Sequence, residues 1–258
     1  MNKGLKILLA VVGVVVVGIA AVFYFLSGMT TVADDFFSSV GNNDMDKAYS
    51  YLSEDFKSST SKEQLRQFLE KHSLTNFKES HWASRSISGG NGKVSGSVTT
   101  ESGGVIPITL RFVKEEAGWR IYSIQKPPSG IQERDAPIQA PSEEDQVKLV
   151  ADAMHVFALS VNDKSMAKLY SHLSNLWQRQ ATIEQLDKAF ASFYDLGVDL
   201  TVLDGMSPRF SSRPAVDDDG VLLITGLYPT TPNQVHFEQR FVYEGLSWKL
   251  VGFSAEIK

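Results

Sequence analysis

The sequence predicts an α+β protein in which two related domains follow an apolar N-terminal segment. Three observations lead to this prediction: an internal repeat, helical spacing of apolar residues at the start of each repeat, and alternation of apolar residues toward its end. Each repeat is therefore expected to place three helices before an antiparallel sheet.

Short motifs recur in the same order in both halves of the chain. Residues 49–53 (Tyr-Ser-Tyr-Leu-Ser) return as residues 170–174 (Tyr-Ser-His-Leu-Ser), and residues 111–113 (Arg-Phe-Val) return as residues 240–242. The offset between matching motifs drifts only from 118 to 129 residues. A structural unit of about 100 residues is therefore expected to occur twice.

The repeats set the expected domain limits. We expect a first domain over residues 29–126 and a second over residues 148–258, after an N-terminal segment of residues 1–28. Residues 127–147 contain several prolines and have one basic and five acidic residues, a net charge of −4. Proline blocks helix formation and like charges repel, so this stretch is expected to be an extended linker.

Residues Ile7 to Leu26 form 20 consecutive residues without a charge. About 20 helical residues cross a bilayer, so we expect a transmembrane helix that contacts lipid. Lys3 and Lys6 precede the run, which predicts a single-pass protein of the bacterial inner membrane, with a cytoplasmic N-terminus and extracytoplasmic domains. The alternative is a cleaved signal peptide, although such apolar regions are usually about 7–15 residues long.

Polar residues mark the expected helix ends in each repeat. The Asn-Asp pairs at 43–44 and 162–163 are expected to end the first helix and cap the second. A third helix is expected to begin with the capping boxes at 61–64 (Ser-Lys-Glu-Gln) and 182–185 (Thr-Ile-Glu-Gln).

Strand patterns follow these helices. Residues 105–112 and 235–241 alternate apolar and polar side chains, which is typical of half-buried strands. Residues 86–92 contain a Gly-Gly pair and are expected to form a hairpin. A last strand is expected to contain Trp119 in the first repeat and Trp248 in the second.

This order of elements resembles the nuclear transport factor two-like superfamily, which includes ketosteroid isomerases. The resemblance rests on the Asn-Asp junction, the Tyr-x-x-Leu-Ser segment, the capped third helix, the glycine hairpin, and the closing strand Gly118-Trp119-Arg120-Ile121. It implies two cone-shaped domains, each with three helices packed on a curved antiparallel sheet. The superfamily pocket serves catalysis in some members and ligand binding or dimerisation in others, so the resemblance leaves function open.

Composition and motif spacing argue against several classes of function. The chain has no cysteine, which excludes disulfides, thiolate metal sites and a cysteine nucleophile. The first repeat balances 12 basic against 12 acidic residues and the second is acidic, so nucleic-acid binding is not expected. The five histidines include no pair at the His-x-x-x-His spacing. We therefore predict no catalytic, metal-binding or cofactor-binding residue, and no enzyme.

Three side chains are the candidate contacts with a ligand or partner. Trp82 stands in a mixed polar segment and is the first candidate for an interface anchor. Arg111 and Arg240 occupy equivalent strand positions opposite the Phe112 and Phe241 face, where a cation could bind an anion. The alternative is a solvated arginine paired with a neighbour across the sheet.

The predicted function is that of a non-catalytic, membrane-anchored extracytoplasmic binding or scaffold subunit of a bacterial envelope complex. The architecture resembles the inner-membrane assembly subunits of type four secretion systems, but those carry one cone domain and a longer tail. Its partners would be envelope proteins or further copies of itself. The alternative function is a small-molecule binder or isomerase-like enzyme that uses an apolar pocket in one of the cones.

Overall fold

The chain divides into two compact units, Met1–Arg134 and Asp135–Lys258. The computed structural model describes residues 28–127, 140–217 and 219–258. The division between the units falls inside the predicted linker. Each unit contains helices followed by an antiparallel sheet, so the protein is α+β with two separate sheets.

Among the described residues of the first unit, helix α1 comes first and includes residues 28–41. Three short helices follow before the sheet: α2 (Met45–Ser50), α3 (Glu54–Ser59) and α4 (Lys62–Lys71), with a 3₁₀ turn at Leu74–Asn76. The sheet is a simple antiparallel meander of β1 (Phe77–Ser88), β2 (Asn91–Thr100), β3 (Val105–Glu115) and β4 (Gly118–Gln125).

The second unit repeats this order with a longer irregular stretch before its sheet. Its helices are α5 (Glu143–Asn162), α6 (Ala167–His172), α7 (Asn175–Gln178), α8 (Ile183–Ala189) and α9 (Ala191–Asp195), with a 3₁₀ helix at Leu200–Gly205. Its strands are β5 (Arg209–Phe210), β6 (Ala215–Val216), β7 (Val221–Tyr228), β8 (Val235–Glu244) and β9 (Ser247–Ile257). The sheet order is β5-β7-β8-β9, and β6 also pairs with β7.

The predicted fold class included a transmembrane helix, and this part is corrected. Within the described residues, no helix is both long enough and apolar enough to cross a membrane. The predicted span, Ile7 to Leu26, lies outside the described residues. The prediction of three helices per unit was also too low, because the second predicted helix is divided into two short ones in each unit. In the second unit the third predicted helix is also divided, into α8 and α9.

Both units join their helices to their sheet in the same way. Leu52 forms an isolated parallel bridge with Ile121, and Leu173 forms the same bridge with Leu250. The backbone N–H of Ser53 donates to the Ile121 carbonyl at 2.9 Å, and that of Ser174 donates to the Leu250 carbonyl at 2.8 Å. The serine hydroxyls then cap α3 and α7.

The sheets also share a bulge. The register between β3 and β4 shifts between Arg111 and Phe112, and the register between β8 and β9 shifts between Arg240 and Phe241. A bulge inserts one extra residue, bends the strand and increases its twist. Equivalent bends therefore curve both sheets at the same place.

The predicted capping boxes are confirmed at Ser61 with Gln64 and at Thr182 with Gln185. The predicted helix junction is correct only in the first unit. Asp44 caps α2 there, whereas Asp163 ends α5 and pairs with Lys168 at 2.6 Å. The structural equivalents of residues 43 and 44 are Lys164 and Ser165, because Asn43 and Lys164 share a left-handed backbone with φ of 57° and 53°.

A buried hydroxyl holds α5 and α6 together. The Ser160 hydroxyl donates to the Val156 carbonyl at 2.9 Å and accepts the backbone N–H of Leu169 at 2.9 Å. Ser160 is fully buried, so an N–H left without this acceptor would have no water to bond.

We expect Ser160→Ala to lower the free energy of unfolding by about 1–3 kcal/mol, because it leaves the Leu169 N–H unsatisfied. Urea denaturation measures this change. Ser171→Ala is the matched control, since the exposed Ser171 hydroxyl bonds only to the Lys168 carbonyl. Equal losses in the two variants would contradict this account of Ser160.

Candidate functional site

Trp82 lies on β1 with its side chain against α1. Its indole N–H donates to the Asp34 carboxylate at 2.7 Å, and the Ser80 hydroxyl donates to the same oxygen. The Trp82 ring centroid lies 6.2 Å from that of Phe37. The side chain is half-buried and contributes to the packing of the first unit, while its role as a partner contact stays a prediction.

The two arginines occupy equivalent register positions but have different surroundings. Arg111 is half-buried between Lys93 on β2 and Ser123 on β4. Arg240 is exposed and pairs with Glu238 at 2.8 Å, so its partner lies on its own strand rather than across the sheet. Gly252 lets the Arg240 stem lie flat on β9, since a Cβ there would come 3.2 Å from Arg240 Cδ.

Trp82 and Arg111, the two candidates of the first unit, do not form one site. Trp82 faces the helices of the first unit, and Arg111 lies on the opposite face of the same sheet. Arg240 belongs to the second unit. Contacts of Trp82 and of Arg111 with a ligand or partner are therefore separate predictions, and the contact of Arg240 stays a prediction for the second unit.

The second unit contains a histidine–aspartate pair that joins α5 to the end of the 3₁₀ helix. His155 Nδ1 lies 2.9 Å from each carboxylate oxygen of Asp204, and both side chains are more than two fifths exposed. Within the described residues, no group of three His, Cys, Asp or Glu side chains is placed to hold a metal ion. An exposed pair of this kind contributes little to stability. Among the described hydrogen bonds of the pair, none is to a side chain that could act as a nucleophile.

Three exposed aliphatic side chains follow α9 within seven residues of the sequence. They are Leu196, Val198 and Val202, which are 50%, 46% and 60% exposed, and we call this segment the Leu196–Val202 surface. Sequence reasoning missed it because these side chains continue the apolar pattern of the third helix. The signal in the sequence was Gly197, because glycine often follows the end of a helix. In the structure Gly197 has a positive φ of 61° just after α9.

Acidic side chains border this surface. Asp195 and Asp199 are exposed, and Asp199 accepts hydrogen bonds from the Asn162 amide at 3.1 Å and from the Thr201 hydroxyl at 2.7 Å. The Asn162 hydrogen bond, followed by those from Thr201, lowers the pKa of Asp199. These hydrogen bonds therefore favour the ionised form of the Asp199 carboxyl.

The interior of the second unit contains one unusual polar group. Gln239 on β8 is 0% exposed, and its amide nitrogen lies 3.5 Å from the Val150 carbonyl, the limit of a hydrogen bond. Its Oε1 atom is buried without a hydrogen-bond partner. Such an oxygen costs about 1–3 kcal/mol. Sequence reasoning missed Gln239, although the repeat places Leu110 at the equivalent position.

One part of the chain is similar to a known family model. Residues 27–131 match the model described as Domain of unknown function (DUF4864). No curated protein matches the chain. No catalytic family is indicated.

The chain is also similar to a solved structure, that of a cystatin-like protein from Ruminococcus gnavus ATCC 29149. The two chains are 11% identical, the alignment covers 90% of each, and the TM-score is 0.30.

We expect Asn162→Ala to raise the pKa of Asp199 toward its ordinary value of 3.8, because the variant removes the hydrogen bond that lowers this pKa most. The pKa should stay below 3.8, since Thr201 still donates. A carbon-13 NMR titration of the aspartate carboxyls measures this shift.

The same hydrogen bonds determine how the stabilisation contributed by Asp199 changes with pH. The pKa is lower in the folded protein, so the stabilisation is present above pH 3.8 and is lost as the pH falls through the folded pKa. Asn42→Ala in the exposed junction of the first unit is the control and should leave Asp199 unchanged. An Asp199 titration that is the same in Asn162→Ala and in the unsubstituted protein would show that Asn162 does not set it.

Proposed function

We propose that the protein is a non-catalytic binding or scaffold protein built from two nuclear transport factor two-like units. It binds another protein through the Leu196–Val202 surface of the second unit. The observation that carries this proposal is the exposure of three neighbouring aliphatic side chains in a segment of seven residues.

Exposed apolar side chains are common singly but less common as a cluster. Burying a Leu or Val side chain fully contributes roughly 1.5–3 kcal/mol relative to leaving it exposed. Three such side chains can therefore supply the apolar centre of an interface. A polar border around an apolar centre is also the usual anatomy of a protein–protein interface.

The charge of the border specifies the partner. Asp195 and Asp199 lie beside the apolar side chains, and the lowered pKa of Asp199 keeps its carboxylate ionised. A complementary partner would present an apolar patch bordered by lysine or arginine. The two units have the same order of helices and strands. In the second unit this arrangement holds the Leu196–Val202 surface in an exposed position, which supports the scaffold role.

A binding role is favoured over catalysis by the polar groups of the second unit. The His155–Asp204 pair is exposed, whereas acid–base catalysis usually uses a group that is sheltered from water and close to a substrate. The buried carboxylate of Glu244 accepts from the Asn175 backbone N–H at 3.1 Å, which uses it as a helix cap.

The test is quantitative affinity capture with the triple variant Leu196→Ser, Val198→Ser, Val202→Ser. We expect the partner that the unsubstituted chain retains to be retained at least tenfold less, because the apolar centre is lost. The control is Ile87→Ser with Val105→Ser, two exposed apolar residues of the first unit, and it should retain the partner.

Self-association is measured on the same samples by analytical ultracentrifugation. A second copy of the chain that dissociates only in the triple variant would identify the partner as the chain itself. Equal retention of every partner by the triple variant and the control, with unchanged self-association, would contradict the proposal.

A further inference from the structure

We propose that the first unit binds a phosphate monoester on the face of its sheet that points away from the helices, through Lys93 on β2 and Arg111 on β3. This inference stands apart from protein binding at the Leu196–Val202 surface, because its residues belong to the other unit. Either proposal can fail without the other.

Lys93 and Arg111 lie directly opposite each other on neighbouring strands. Each is next in sequence to a core residue, Val94 or Leu110, whose side chain is 0% exposed. Successive side chains of a strand point to opposite faces of the sheet, so both cations lie on the face away from the core. The Cβ atoms of directly opposite residues are about 4.5–5.5 Å apart, which brings the two positive side chains close together.

Two like charges at directly opposite positions destabilise a sheet. The second unit avoids this cost with the same strand register. Its residues at the positions of Lys93 and Arg111 are Leu223 and Arg240, which also lie opposite each other. Arg240 is paired with the Glu238 carboxylate at 2.8 Å. The shared arrangement of strands therefore does not require two neighbouring cations here.

The position of Glu238 is occupied by Thr109 in the first unit, two residues before the arginine in both strands. The second unit thus has one cation and one carboxylate at these three positions, whereas the first unit has two cations and a hydroxyl. A dianion bound between Lys93 and Arg111 would compensate both positive charges. A phosphate monoester carries about −1.5 to −2 at pH 7, whereas a carboxylate or a phosphate diester carries one negative charge.

Hydroxyl groups adjoin the two cations. The Thr109 and Ser95 hydroxyl oxygens are 3.2 Å apart, and Thr109 is 8% exposed. Ser123 lies opposite Arg111 on β4 and is 1% exposed, so the arginine lies beside a position that is sheltered from water. Electrostatic attraction is stronger where water is excluded. Hydroxyls can donate to phosphate oxygens, and a guanidinium can donate two parallel N–H bonds to them.

The two rows of residues that cross this part of the face contain no acidic side chain. They are Ser86, Lys93, Arg111 and Ser123, followed by Ser84, Ser95, Thr109 and Gln125.

Lys93 and Arg111 also make contacts within the chain. These contacts are compatible with a bound phosphate, because a guanidinium has five N–H donors and an ammonium group has three.

Methyl phosphate and dimethyl phosphate are suitable probes, because they have similar shapes and only the monoester can carry two negative charges. Binding to the full chain is measured at pH 8 by isothermal titration calorimetry, and the Arg111 Nε–H signal is followed by NMR. We expect methyl phosphate to bind roughly tenfold more tightly than dimethyl phosphate and to shift the Arg111 signal.

Lys93→Leu and Thr109→Glu each introduce the residue found in the second unit. We expect each variant to weaken methyl phosphate binding roughly tenfold, because the first removes a cation and the second supplies Arg111 with a carboxylate. Lys47→Leu on α2 is the matched control, since it removes one exposed cation and changes the net charge by the same amount. It should leave methyl phosphate binding unchanged.

The reverse exchange tests the same idea in the second unit. Leu223→Lys combined with Glu238→Thr reproduces the residues of the first unit around Arg240. We expect this double variant to gain a second methyl phosphate site. It keeps the proposal testable if a variant of the first unit does not fold.

The phosphate monoester can belong to a soluble metabolite or to the head group of phosphatidic acid. Flotation with phosphatidylcholine vesicles, with and without phosphatidic acid, separates these two sources. Binding that increases with phosphatidic acid and is lost in Lys93→Leu identifies the lipid. Methyl phosphate binding without this increase identifies a soluble ester.

Three outcomes would overturn the proposal. Equal affinity for methyl phosphate and dimethyl phosphate would show that the two cations do not select a dianion. Equal methyl phosphate binding by Lys93→Leu, Thr109→Glu and Lys47→Leu would place the probe elsewhere. Absence of saturable binding, with an unshifted Arg111 signal, would show that the two cations serve only contacts within the chain.

Discussion

The structure of each unit depends on one backbone contact between the short helices and the last strand. In the first unit the Ser53 N–H donates to the Ile121 carbonyl, and the Ile121 N–H donates to the Tyr51 carbonyl at 3.0 Å. This contact occupies part of the edge of β4, which would otherwise present unpaired backbone groups. It also fixes where α3 begins, because the same serine caps that helix. The equivalent contact at Ser174 and Leu250 gives the second unit the same arrangement.

A second link reinforces this contact at the helix N-terminus. Glu115 at the end of β3 accepts the backbone N–H of Glu54, and Glu244 at the end of β8 accepts that of Asn175. A carboxylate at this position satisfies a free N–H and interacts favourably with the helix dipole. The frame is therefore set by backbone groups and their polar caps, which leaves the side chains between helices and sheet free to differ between the units.

Local chemistry explains which features could be predicted from the sequence. The capping boxes at Ser61 and Thr182 and the hairpin at Gly89-Gly90 depend on neighbouring residues, and these predictions are confirmed. The division of the second predicted helix into α2 and α3 could not be predicted in this way, because it depends on the distant strand that pairs with Leu52. The match of Asn162-Asp163 with Asn43-Asp44 was wrong for a related reason. The left-handed backbone makes Lys164 the structural equivalent of Asn43, whereas the identical residue types lie two positions earlier.

The candidate sites were hard to find because each depends on a contact that is absent or replaced. The sequence shows Leu196 and Val198 as ordinary apolar residues, and only the fold leaves them without a neighbour to bury them. Gln239 gives a stronger sequence signal, since the register that pairs Leu110 with Ile124 pairs Gln239 with Phe253. The two units share one backbone arrangement, and one interior residue changes from leucine in the first unit to glutamine in the second. The first unit can therefore be compared directly with the second at this position. In the first unit a fully buried leucine fills this position. The backbone arrangement that the units share therefore does not require a glutamine here.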